Sequence, residues 1–242
     1  MRKPGKPTQT RYGDDLVLFN WTGIWTGAQQ SIPIAFSVFA YGLVFGVLAR
    51  QAQLSVAESL LMSGLVFAGA SQFVALDLWV APLPMVTIIF TTFVVNLRHL
   101  LMGAGLRDWF AGLSIAKAYG SLFFMNDESW ALTMAAYARG ERNAAFLLGS
   151  GLTVFLAWLS ATFFGRLVVA VLKNPARWGL DFAFTAVFVA LLVGMWRGKS
   201  DFMPWLVAAI VAILSSIWLP GKWYILIGGL TGSFVGAMRH ED

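Results

Sequence analysis

Cysteine is absent, histidine occurs twice, and charged residues make up only 12% of the 242 positions. The lack of cysteine excludes disulfides and thiol chemistry together, and it leaves the redox compartment open. The shortage of charge excludes a soluble domain, in which about 25% of residues are charged. What fills the chain instead is apolar: 58% of residues are hydrophobic and the mean hydropathy is +0.71. Uncharged runs at Leu16 to Ala49, Leu78 to Leu97, Asn143 to Gly165 and Phe202 to Gly221 reach the length of about 20 residues that a helix needs to cross a bilayer. The first run is far longer than the about 7–15 apolar residues of a signal peptide.

These features predict a polar tail over residues 1–15, followed by a single polytopic membrane domain over 16–242. The fold class expected is an all-α integral membrane protein with roughly seven transmembrane or half-membrane helices, the second of them broken. The first span covers Gly23 to Arg50, and Pro33 inside it is tolerated because neighbouring helices can satisfy the backbone group it frees. A second runs from Glu58 to Asp77 and is interrupted near its middle by small residues. After Pro82 and Pro84 a third continues to Leu106, whereas Lys117, Asp127 and Glu128 cut Trp109 to Ala138 into one or two half-helices. Further helices are expected at Asn143 to Val171, Gly179 to Trp196, Phe202 to Leu219 and Trp223 to Met238. Tryptophans near these ends, among them Trp21, Trp25, Trp79, Trp178 and Trp223, match interfacial belts, and Arg2, Lys3, Lys6 and Arg11 place the tail on the cytoplasmic side. The net charge of +5 is read as this topology signal and as contact with anionic lipid, not as nucleic-acid binding. "LSVAESLLMSGLVFAGA" from Leu54 and "GLDFAFTAVFVALLVG" from Gly179 share an early acid and a run of small and aromatic residues, which a chance match of two apolar helices explains at least as well as an internal repeat would.

Polar groups at bilayer depth are costly and face a cavity or one another, so three clusters matter. In "VFAGASQFVALDLW", Gly69 permits local unwinding, while Ser71 and Gln72 offer donors and acceptors beside freed backbone groups. The same residues would also serve a close helix–helix contact sealed by hydrogen bonds. In "NLRHLLMG", Asn96, His99 and Gly103 recur on one helical face, with Arg98 directed elsewhere or snorkelling. An imidazole, with a free pKa of about 6.5, can carry a coupled proton, and His99 and Asp127 are the candidate proton-coupling groups. In "FFMNDESW", Asn126 or Asp127 would cap a helix whose first turn carries Asp127 and Glu128. A free amino acid matches these groups chemically: its carboxylate suits helix N-termini near Gly69 to Gln72 or Arg98, and its ammonium suits freed carbonyls or Glu128. The candidate substrate-binding set is thus Gly69, Ser71, Gln72, Asn96 and Glu128. No cofactor and no metal ligand set is expected.

"FAGASQF", "NLRHLLMG" and "NDESWAL", in this order, resemble signature segments of the AzlC family of branched-chain amino acid permeases. "GAQQSIPIAFSVFAYGLVFGVLARQAQLS" and "GLDFAFTAVFVALLV" are similar to that family as well, so the resemblance covers most of the chain after the tail. It implies proton-driven export of leucine, isoleucine, valine and sometimes methionine from the bacterial cytoplasmic membrane. It also implies a small hydrophobic AzlD-type partner subunit. The chain departs from the family pattern at Trp130, where a smaller residue is expected, and at Met102, where tyrosine is frequent; both bear on substrate preference.

Three other readings compete. Ser71 followed by His99 resembles the dyad of an intramembrane serine hydrolase, but Gln72 stands where a glycine usually follows the serine, and the histidine arrives one span too early. A non-transporting scaffold subunit would need the polar clusters only as contacts. An AzlC-like exporter of another small solute differs least, because apolar pockets separate aliphatic side chains by only about 1–3 kcal/mol per methylene.

Overall fold

The computed structural model describes residues 17–110, 112–171, 189, 193, 196, 198–219 and 223–239. The polar tail, the span expected over Gly179 to Trp196 and the second of the two similar segments lie outside the described residues. Among those described, the secondary structure is helical apart from a single bridge between Leu18 and Asn143. The protein is a multi-pass helical membrane protein. Helices long and apolar enough to cross on their own span Trp21–Gln51, Met85–Gly105, Ala145–Val168 and Lys199–Trp218.

Helix α1 (Trp21–Gln51) starts at Asn20, whose side chain accepts from the Gly23 amide, and it carries Pro33 without a break. Helix α9 (Ala145–Val171) lies along it in parallel: Gly27 meets Phe146, Gly42 meets Trp158 and Gly46 meets Thr162. The contact is made by glycines from both sides. A Cβ at Gly27, Gly46, Gly149 or Gly165 would run into the opposing backbone. In lipid, where burial alone does not drive helices together, such close backbone approach is a principal source of packing energy. The bridge at Leu18 and Asn143 pins the two N-terminal ends to each other through the Leu18 amide to the Arg142 carbonyl, 3.0 Å, and the Ala144 amide to the Leu18 carbonyl, 2.9 Å.

Two interrupted spans run antiparallel to α9. The first comprises α2 (Val56–Leu65) and α3 (Gly69–Asp77). The second comprises α7 (Ile115–Phe123) and α8 (Asp127–Ala138), which settles Trp109 to Ala138 as two half-helices preceded by the single turn α6 (Arg107–Phe110). Between them stands a third span, α4 (Met85–Asn96) and α5 (Arg98–Gly105), which join through Leu97 with helical backbone angles. The main core gathers Phe45, Phe73, Val154 and Trp158 at the α1–α3–α9 junction. Phe36, Val86 and Leu101 are more than 70% exposed, as side chains facing lipid are. Helices α10 (Lys199–Trp218) and α11 (Trp223–Arg239) form an antiparallel hairpin in which Gly228 and Gly232 admit Ala212 and Ala208.

Candidate functional site: a cavity between two helix breaks

The first break follows from a helix that starts well and cannot continue. Ser55 and Glu58 form a reciprocal capping box at the start of α2. The helix ends at Leu65, and Phe67 then turns the chain with φ at +41°, a conformation that bulky residues seldom adopt. Burial holds it there. The Phe67 ring meets Phe155 of α9 edge-on, with centroids 5.0 Å apart. Helix α3 then begins behind Ala68, which has no side-chain acceptor, so its first-turn amide groups are left without a side-chain cap.

The second break reaches the same aromatic from another side, Phe124 meeting Phe155 at 5.2 Å. Gly151 makes this possible, since a Cβ there would strike the Phe124 carbonyl. Here the new helix is capped. Asn126 accepts from the Ser129 amide at 2.8 Å, and the Ser129 hydroxyl accepts from the Asn126 amide at 2.9 Å. Asp127 and Glu128 fill the first turn, where carboxylates complement the helix dipole.

Both breaks open onto one cavity of about 140 Å³. Ile34, Ser37, Val38 and Tyr41 contribute from the middle of α1, and Trp158 from the middle of α9. Phe67, Ala68, Gly69, Ala70 and Phe73 contribute from the first break, Asn126, Asp127 and Glu128 from the second, and Arg98 and His99 from the start of α5. The site therefore lies at mid-depth, where discontinuous helices of transporters characteristically meet. Its walls are apolar along Val38, Phe73 and Trp158 and charged where α5 meets α8. There Arg98 and Asp127 pair at 2.7 Å, with side chains 35% and 47% exposed. The Nε atoms of Arg98 and Trp158 have no hydrogen-bond partner.

Of the residues expected from sequence, Gly69, His99, Asp127 and Glu128 come together on this cavity. Ser71, Gln72 and Asn96 are not among its lining residues. Ser71 and Gln72 are fully buried behind the wall: the Ser71 hydroxyl donates to the Ala68 carbonyl at 2.9 Å and accepts from the Asn96 amide at 3.3 Å. The Gln72 amide donates to Ser63 at 3.2 Å, and Ser63 shares a hydrogen bond of 2.8 Å with Thr162 of α9. The seam ties α3 to α4, α2 and α9, so the break is held from behind. His99 reaches back to the Asn96 carbonyl at 3.2 Å, and the Ser71 hydroxyl bonds the Ala68 carbonyl and the Asn96 amide rather than His99.

Arg98 corrects the helical-face reading. It lines the cavity beside its neighbour His99, because the cavity takes an arc of this helix wide enough to include two adjacent side chains, while Asn96 lies behind the wall. Trp158 and Tyr41 were also absent from the sequence expectations. One signal was available for Trp158: unlike the tryptophans at span ends, it stands in the middle of a 27-residue helix. Trp130 and Met102, the two positions that depart from the family pattern, meet each other, the Trp130 indole donating to the Met102 carbonyl at 3.0 Å.

Interrupted spans that meet at one cavity, with charge at one wall and aliphatic and aromatic groups at another, place the chain among polytopic helical membrane proteins. The chain belongs to the AzlC family: the family model for AzlC protein matches residues 33–172, which include every cavity-lining residue named above. It is similar to the branched-chain amino acid transport protein AzlC of Bacillus subtilis, with 26% identity over 84% of this chain and 81% of that protein. An uncharacterized membrane protein of Archaeoglobus fulgidus is 31% identical over 72% of this chain and 76% of its own length. The inner membrane protein YgaZ of Escherichia coli is 28% identical over 80% of each. No solved structure matches the chain.

Proposed function

We propose that this protein exports branched-chain amino acids, and methionine where its pocket admits it, across a bacterial cytoplasmic membrane, using the proton gradient and a small AzlD-type partner subunit. The observation that carries the reading is the cavity itself, a binding space at the junction of two interrupted spans. Its volume of about 140 Å³ falls below the about 300 Å³ at which pockets for drug-sized ligands begin, and so suits a small metabolite. The name of the Bacillus subtilis relative supplies the substrate class, and that of the Escherichia coli relative supports the membrane.

In this reading the uncapped amide groups at Gly69 and Ala70, with the unpartnered indole of Trp158, give one wall of the cavity positive character, and Glu128 adds negative charge at the start of α8, polarities that together suit a zwitterion. Val38, Phe73 and Trp158 receive the aliphatic side chain. His99 carries the coupled proton, with Asp127 on the same cavity. Ser71, Gln72 and Asn96 hold the break in shape and act on substrate through it.

The test is efflux of leucine, isoleucine, valine and methionine from dipeptide-loaded cells that make the chain with its partner. Wild type should export at least one of the four, and His99→Gln should lose export while both proteins remain assembled in the membrane. Absence of efflux of all four from wild type, with the complex present, sinks the substrate assignment. Omitting the partner should abolish export; undiminished export by the chain alone removes the partner from the reading.

A further inference from the structure

We propose that the Arg98–Asp127 ion pair is the charge template for the substrate, and that a zwitterion enters the site by inserting between the two: its carboxylate takes Arg98, its ammonium takes Asp127, and the tie between α5 and α8 opens as the ligand seats. The inference rests on the reading of the cavity as an amino-acid site and adds which residues recognise the charges and what their recognition moves.

Four observations carry it. Asp127 is the first residue of α8, directly after the second break, and Arg98 stands one residue past Leu97 in a span whose backbone stays helical. One charge therefore belongs to a half-helix and the other to the continuous span that faces it. Both line the cavity, so the pair lies inside the space a ligand would take and not on a remote surface. The contact is a single one, from one terminal nitrogen of Arg98 to one oxygen of Asp127, and the Arg98 Nε is unpartnered. Arg98 thus has more donors than the one Asp127 takes, and a guanidinium can grip a carboxylate with two parallel hydrogen bonds once its partner is displaced. Finally, protein covers the pair only in part, so a ligand in the cavity can compete with it without first unpacking the core.

The arrangement selects on charge. A carboxylic acid lacking an amine would take Arg98 and leave Asp127 unpaired beside Glu128, two carboxylates next to each other at one helix start. An amine lacking the carboxylate would leave Arg98 unpaired at mid-depth in the membrane. Either remainder is penalised, because a charge that has lost its partner in a low-dielectric site pays for its desolvation. A zwitterion leaves neither. Since Asp127 then stays paired in both states, the proton-carrying role narrows to His99.

The test uses the full chain in lipid nanodiscs and three probes of the same carbon skeleton: leucine, leucinamide as the cation and 4-methylpentanoate as the anion. Wild type should bind leucine about ten- to hundredfold more tightly than either analogue, the range expected when one charge-assisted hydrogen-bonding group is lost. The exchanged variant Arg98→Asp/Asp127→Arg re-forms an ion pair between the same helices with its polarity reversed; it should melt near the wild-type temperature and lose leucine binding. A pair that serves only as a structural tie would be rescued by that exchange. Should the exchanged variant fail to fold, Arg98→Gln gives the same information, because its preference between leucine and leucinamide should shift toward the cation. Equal binding of all three probes by wild type, leucine binding retained in the exchanged variant, or an unshifted preference in Arg98→Gln overturns the inference while leaving the transport reading intact. Failure of wild type to bind leucine at all, together with no leucine counterflow in liposomes containing the partner, overturns both.

Discussion

At the first interruption the chain passes through Val66 to Ala68 and starts α3 with no side chain over its amide groups, whereas at the second it passes through Phe124 and Met125 and starts α8 beneath the Asn126–Ser129 capping box. Both breaks lean on the same ring, Phe155, at nearly equal distances. Their electrostatics nonetheless differ in sign. An uncapped helix start projects partial positive charge, while a start that holds its own cap, Asp127 and Glu128 projects negative charge. One cavity thus receives opposite polarities from two similar pieces of backbone, and the difference lies in four or five side chains.

The largest effect should come from forcing the second break away from its support. Gly151→Ala puts a methyl group against the Phe124 carbonyl and should cost about 1–3 kcal/mol in stability, with transport lost; Gly64→Ala near the first break meets only Leu159 at 3.9 Å and should change neither. Thermal unfolding in detergent reads both, and equal melting temperatures for the two variants would show that the breaks are not supported differently. Next comes a substitution that makes the first break resemble the second. Ala68→Asp supplies a capping carboxylate at a residue that lines the cavity, and it should stabilise α3 by about 0.5–2 kcal/mol while weakening leucine binding. Stability and affinity moving in the same direction would count against a ligand-binding role for the open amide groups. The reverse experiment, Asn126→Ala, should cost about 1 kcal/mol by uncapping α8, and Asn126→Ser should recover most of it. The smallest effect tests what the breaks have in common: Phe67→Leu and Phe124→Leu should each lose an edge-on contact of about 0.5–1.5 kcal/mol, and markedly unequal losses would mean that Phe155 does not serve both alike.

Legibility in the sequence followed how local the cause was. The breaks were readable because "GAS" and "NDES" are local departures from an apolar run, and the Asn126 cap was readable because capping is settled within four residues. Whether a polar side chain near a break faces the cavity or the protein behind it is decided by partners far along the chain. Ser63 and Thr162, which hold Gln72 in place directly and through Ser63, are 9 and 90 positions from it, and nothing in "ASQF" announces them. Arg98 was misdirected for a related reason. Periodicity assigns side chains to faces of a helix, but how wide an arc a cavity takes is set by the elements opposite, and here the arc includes both Arg98 and His99. The Arg98–Asp127 pairing joins two spans and could be read only from the fold.

The glycine-lined contact between α1 and α9 bears on how such a protein can move. Where side chains interdigitate, two helices can slip by exchanging rotamers, but where main chain touches main chain at Gly27, Gly46, Gly149 and Gly165 there is no rotamer to exchange. The pair behaves as an axle. In the proposed transport cycle, any rocking that turns the cavity from one side of the membrane to the other must be carried by the pieces around it, α3 among them, which meets the axle through side chains at Phe45 and Trp158. Drift of substrate across the membrane is then tied to the swing of a few short rods, and the stiffness of the axle sets how sharply the two positions are separated.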